Sequence, residues 1–109
     1  MTNHELFSRY SHHINRDLYL ANNTKASYLS DVRYYIAFLD AHDALAVNSD
    51  TITLLIRHMV SEKRSSSGIH RMIVSVRNFY KFLKTVGLVL VNPVKGFNGK
   101  TVNELIDPT

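Results

Sequence analysis

Apolar residues in this chain recur three and four positions apart, and that period excludes most architectures before any residue is given a role. In "IHRMIVSVRNFYKFLKTVG", residues 69–87, Ile69, Met72, Ile73, Val76, Phe79, Tyr80 and Leu83 share one side when each residue turns a helix by about 100°. No stretch sustains the period-two alternation of a half-buried strand. "LVLV" at 88–91 is the one candidate strand, too short and isolated to make a sheet. The fold class is therefore all-α.

The same period predicts four helices. The first spans residues 3–20 with Leu6, Tyr10, Ile14 and Leu18 on its stripe, and "ANNT" interrupts it. The second runs from 24 to 41 behind Asn23 as N-cap, with Tyr28, Val32, Tyr35, Ile36 and Leu39 inward and Phe38 off the stripe, toward a neighbouring helix. "HDALAVNSD" is a connector, and Asn48 or Ser49 caps a third helix over 50–63 carrying Ile52, Leu55, Ile56 and Met59. The polar turn "EKRSSSG" opens the fourth helix, 67–86, which Gly87 stops. The glycines and Pro93 of "LVLVNPVKGFNGK" predict an extended exit, with a short extra helical turn at "TVNELI".

A chain of 109 residues suits one small domain, and 45% hydrophobic with 20% charged residues is a globular composition. No apolar run reaches the roughly 18 residues of a membrane span, and "MTNHELFSRY" has no signal-peptide pattern, so a soluble, cytoplasmic protein without membrane association is expected. Without cysteine, disulfides, thiolate catalysis and Cys-based zinc sites are excluded. The net charge of +4 favours polyanionic partners without demanding them.

On the fourth helix His70, Arg77, Lys81 and Lys84 form a stripe beside the apolar face. Ser67, Arg71 and Asn78 lie further round, toward the side opposite the core. Ser66, Ser67, His70 and Arg71 thus gather near a helix N-terminus, which itself favours anions. The second helix adds Thr24, Lys25, Ser27, Ser30, Arg33 and Tyr34 outside its core stripe, with Asp31 the acid among them. A solvated helix face is the other reading of such stripes.

Catalytic patterns are poor. His12 and His13 are adjacent rather than four apart, so they do not present two ligands on one helix face. Asp40, His42 and Asp43 suit a helix cap and a solvated turn, and neither a phosphate-cradling Gly-rich loop nor a nucleophile elbow occurs. No cofactor or metal is expected.

"NNTKASYLSDVRYYIAFLD" resembles the opening of the N-terminal core-binding domain of tyrosine recombinases, the phage integrase and Xer group, with Thr24, Tyr28 and Asp31 at the matching spacing. "SSSGIHRMIVSVRNFYKFLKTVGLVLVNPV" is similar to that domain's last helix, with Arg71, Arg77, Phe79, Tyr80, Phe82, Leu83, Gly87, Asn92 and Pro93 in place. The likeness covers about residues 3–95. It implies a SAM-like four-helix bundle that forms half of a C-shaped clamp on double-stranded DNA. Residues 1–95 would be the DNA-binding domain and 96–109 a linker or tail toward a catalytic domain absent from this chain.

The resemblance carries a DNA-facing role to Thr24, Lys25, Ser27 and Tyr28 on the second helix, and to Ser67, His70, Arg71 and Arg77 on the fourth, beside the Lys81 of the basic stripe. Tyr28 and Arg77 suit packing or hydrogen bonding within the domain equally well. The family's catalytic arginine, His-x-x-Arg and tyrosine series lies in its second domain, and no His, Arg or Tyr follows Tyr80 here. The chain is expected to be non-catalytic, either cut in the linker or a short protein that kept the clamp half, and monomeric when isolated. Other recombinase protomers on DNA are further expected partners. The alternative is a helical protein-interaction module that contacts a recombinase through Leu6, Phe7 and Tyr10. A third reading, an unrelated helix-turn-helix regulator, lacks the short turn between consecutive helices.

Overall fold

The computed structural model describes residues 1–108, which form five α-helices and no strand. These are α1 (Asn3–Asn15), α2 (Asn22–Leu39), α3 (Ser49–Ser61), α4 (Ser66–Thr85) and α5 (Gly99–Ile106), with a single 3-10 turn at Ala44–Ala46 in the connector. The helices start where side chains replace missing backbone partners. Thr2 and Glu5 form a reciprocal capping box at α1, Asn48 accepts from the Asp50 N–H at α3, and Ser65 accepts from the Gly68 N–H at α4.

Two boundaries differ from the sequence expectation. α1 stops at Asn15 rather than 20, because the Asp17 carboxylate accepts the N–H groups of Tyr19 (2.8 Å) and Leu20 (3.3 Å) and folds the chain into a turn. Leu18, expected on the core stripe, is therefore 91% exposed. α2 begins at Asn22 behind Ala21, which makes no side-chain cap, so Asn23 lies inside the helix rather than at its N-cap. The helix ends at Asp40, whose φ of 52° is a left-handed conformation that stops further helical bonding.

The inward residues expected on α2, α3 and α4 are buried, except Tyr28, which is half-buried at the rim. Phe38 meets His58 of α3, ring centroids 5.4 Å apart, as its position off the stripe implied. α2 and α4 make the largest contact in the bundle, and α1 packs along α2. The exit segment does not form a strand. Val94 and Phe97 are buried, and Asn92 fixes the segment by donating to the Arg77 carbonyl (3.1 Å) and accepting from the Val94 N–H (3.0 Å). It then delivers α5, two turns long, onto α3 and α4 with Val102 buried.

An aromatic cluster fills the centre. Tyr10 meets Phe79 edge-on at 5.2 Å, Phe79 meets Tyr80 at 5.3 Å, and Tyr80 meets Tyr35 at 5.9 Å. The Tyr80 hydroxyl donates to the Ala44 carbonyl (2.8 Å), so its single proton is committed, and its oxygen accepts from the Tyr35 hydroxyl at 2.6 Å. Burial pushes both phenols to pKa values far above the ordinary one.

Tyr80→Phe removes one atom and leaves both the Tyr35 hydroxyl and the Ala44 carbonyl without a buried partner. It is expected to lower stability by about 1–3 kcal/mol with helix content retained. Urea denaturation followed by circular dichroism checks this; an unchanged midpoint would discard the hydroxyl chain as a stabilising element.

Candidate nucleic-acid interface

The sequence expectation places the site on α2 and α4, and the contact between these helices decides what each side chain is free to do. α4 carries a polar stripe, Arg71, Ser75 and Asn78, at spacings of four and three that keep them on one face. That face turns toward α2 and α1. Asp31 of α2, expected on the open edge, is instead only 3% exposed. Its carboxylate accepts two hydrogen bonds from the Arg71 guanidinium, from Nε at 3.0 Å and from a terminal nitrogen at 2.8 Å, and a third from the Ser75 hydroxyl at 2.7 Å. A buried carboxylate must be compensated, and this arrangement satisfies both of its oxygens.

The pairing sets the chemistry of Arg71. Hydrogen bonding to Asp31 raises its pKa still further, so it is cationic throughout the working range. Its side chain remains 58% exposed. A guanidinium has five N–H donors, and two of them serve Asp31, so the outer edge of the fork is presented to solvent in a fixed orientation. Asn78, expected opposite the core, faces inward: it is half-buried and accepts from the Tyr10 hydroxyl at 2.6 Å. Burial pushes that phenol up as well.

The basic stripe divides. His70 Nε2 lies 2.7 Å from the Asn103 side-chain oxygen of α5, an acceptor, so the imidazole donates to it. Arg77 donates to the Phe97 carbonyl at 2.6 Å, which makes it a fastener for the exit segment. Lys81 and Lys84 are exposed. Thr24, Lys25, Ser27 and Tyr28 are all half-buried at the start of α2, and Lys25 Nζ sits 3.4 Å from the Asn15 carbonyl at the end of α1, where a cation is favourable. Ser67 is exposed beside Ser65, their hydroxyls 3.4 Å apart. Thus α4 brings Ser67, Arg71 and Lys81 outward and directs His70 and Arg77 toward α5 and the segment before it.

A second polar cluster went unread in the sequence. The Tyr34 hydroxyl of α2 donates to the Glu62 carboxylate, and the Arg64 guanidinium stacks 4.7 Å from the Tyr34 ring centre. Burial and the Glu62 carboxylate push the Tyr34 phenol up to about 12. The sequence signal lies in "SEKR", whose Glu and Arg sit in the turn between α3 and α4. Among the described residues no His, Asp and Glu group is arranged to hold a metal ion, and no helix is long and apolar enough to cross a membrane.

Comparison with known proteins identifies the family. A family model described as the phage integrase N-terminal SAM-like domain matches residues 7–87, from the second turn of α1 to just past α4. The tyrosine recombinase XerD of Chlorobaculum tepidum is 33% identical over 82 residues, 72% of this chain and 26% of the relative. The XerD of Lacticaseibacillus casei is 26% identical over 93 residues, 84% of this chain and 31% of the relative. A tyrosine recombinase of Pseudothermotoga lettingae is 27% identical over 106 residues, 92% of this chain and 35% of the relative. The chain therefore spans about a quarter to a third of the length of these relatives. No solved structure matches it significantly. With a family match over most of its length and its helices, the chain belongs to the phage integrase N-terminal SAM-like domain family.

Proposed function

We propose that this chain is the DNA-clamping domain of a tyrosine recombinase, which grips duplex DNA with α2 and α4 while strand exchange is carried out by residues outside it. Residues 1–95 carry the binding surface, and the segment from 96 onward, docked on α3 and α4 through Phe97 and Val102, leads toward the catalytic part. The observation that carries the reading is the Asp31–Arg71 fork: a permanent cation held in one orientation with donors to spare, suited to a phosphate or to the N7 and O6 of guanine. Ser67 and Lys81 on α4, with Thr24, Lys25, Ser27 and Tyr28 on α2, supply backbone contacts around it, and His70 and Arg77 contribute at the α5 side. The isolated chain is a monomer and binds weakly, near the 10⁻⁴ to 10⁻⁶ M typical of non-specific contact.

A second reading, a module that docks on a recombinase protein, is favoured by a groove of about 890 Å³ lined by Phe7 of α1, Ile36 and Ala37 of α2, and Asp40. Leu6 and Tyr10, which that reading enlisted, are fully buried, so Phe7 alone of the three is available. The groove is mixed in character, with Arg33 stacked on Phe7 at 5.5 Å, and it carries less than the oriented cation does.

An amide NMR titration with a short duplex separates the two. Shifts on residues 24–34 and 66–84 that fade as salt is raised are expected, and a salt-insensitive response confined to the groove would transfer the function to protein contact. Lys81→Ala should leave stability within about 0.5 kcal/mol and reduce the slope of log affinity against log salt by about 1. Arg71→Ala should weaken binding and, where Arg71 reads a base, relax preference at one position. Because it leaves the Asp31 carboxylate with Ser75 alone, it should also cost about 1–3 kcal/mol of stability, so affinity is to be compared well below the denaturation midpoint. Equal affinity of this variant and the parent at low salt would remove Arg71 from the interface.

A further inference from the structure

We infer that α1 carries a second, proton-coupled phosphate-binding face, Arg9, His12, His13 and Arg16, which takes the sugar-phosphate backbone of duplex DNA outside the α2–α4 contact. The inference rests on the DNA-binding reading but on none of the side chains used for it. Spacings of three, four and seven place the four residues on one side of α1. All four are exposed. With the turn that follows α1 and with Phe82 of α4 they line a shallow concavity of about 630 Å³, rimmed by Leu18 and Tyr19. Tyr19 is 97% exposed, an aromatic with no packing role in the domain.

Charge complementarity identifies the occupant. The one acid in the lining is Asp17, and its carboxylate is engaged by the Tyr19 and Leu20 N–H groups. Glu5, the acid nearer the start of α1, is held in the capping box with Thr2. Two arginines and two histidines therefore stand against the single carboxylate of Asp17 among the lining residues, a basic balance that attracts an extended polyanion.

The histidines make the attraction depend on protons. Arg16 lies 2.9 Å from His12 Nε2 through a terminal guanidinium nitrogen. A guanidinium only donates, so His12 Nε2 is the acceptor in this arrangement. Protonating it removes the acceptor and sets two cations against each other, which an anion lodged between them would relieve. His13 stacks on the Phe82 ring with centroids 4.7 Å apart. The groups facing the pair are Arg9 and Arg16 on their own helix, Asp17 and Tyr19 in the turn, and the uncharged Phe82 from α4. Phosphate arrival and proton uptake at His12 thus reinforce one another.

The test uses the full chain, a short duplex, and two variants that keep His70 and the rest of the α2–α4 face. In the parent, affinity should be about threefold or more higher near pH 6 than near pH 7.5. His12→Gln with His13→Gln should flatten most of that dependence. Arg9→Ala with Arg16→Ala should make the log affinity against log salt slope shallower by about 1 to 2, with an unchanged circular dichroism spectrum to show that α1 is intact. Duplex-induced amide shifts on residues 9–19 should accompany binding. If parent and both variants share one pH profile and one salt slope while shifts gather on 24–34 and 66–84, the α1 face is discarded and the clamp reading stands. Shifts on 9–19 alone would keep the α1 face and overturn the α2–α4 assignment. No duplex binding at either pH would end both.

Discussion

The buried carboxylate of Asp31 is the constraint around which the domain is arranged. A charge at 3% exposure is tolerable only where its oxygens are met, and here both are met from α4, by Arg71 and by Ser75. Apolar packing between α2 and α4 would accept several registers at similar energy. One carboxylate that must find a guanidinium and a hydroxyl four residues apart accepts far fewer. The ion pair thereby fixes how the two helices cross, and with them every residue placed on the outer edges of both.

Around this pair the interior is polar in a thin layer and apolar elsewhere. The Tyr10–Asn78 hydrogen bond lies one helical turn beyond Ser75, and the Tyr35–Tyr80–Ala44 chain follows deeper in. No buried side-chain nitrogen or oxygen among the described residues lacks a partner. A core rich in tyrosine can be specific as well as stable, because each hydroxyl admits few positions for its neighbours. The same layer explains why α4 looks so mixed in sequence: its basic and hydroxylic residues serve α2, α1, α5 and solvent on four different sides.

Periodicity made the four principal helices and their core legible, since Ile52, Leu55, Ile56 and Met59, or Ile69, Met72, Ile73 and Val76, permit no other placement at helical spacing. It failed where a single polar contact outweighed the pattern. Leu18 fits the α1 stripe, but the Asp17 turn intervenes one residue earlier. Asp31 and Asn78 read as surface residues because polarity alone does not reveal a partner on another helix; the stripe of Arg71, Ser75 and Asn78 through an apolar face was the available sign. α5 was legible only as a turn, because its docking depends on Phe97 and Val102 reaching grooves made by α3 and α4. The candidate DNA face was likewise readable as a set of residues but not in its division, as nothing in "IHRMIVSVR" tells that His70 and Arg77 bond to the chain that follows.

That division has a mechanical side. Asn103 holds His70, and the Phe97 carbonyl holds Arg77, so the segment leaving the bundle is fastened to the same helix that carries Arg71 and Lys81. A pull or twist applied to α5 reaches α4 through these two polar links as well as through the buried Phe97 and Val102. Where α5 sits and which cations α4 shows are therefore coupled through a pair of hydrogen bonds.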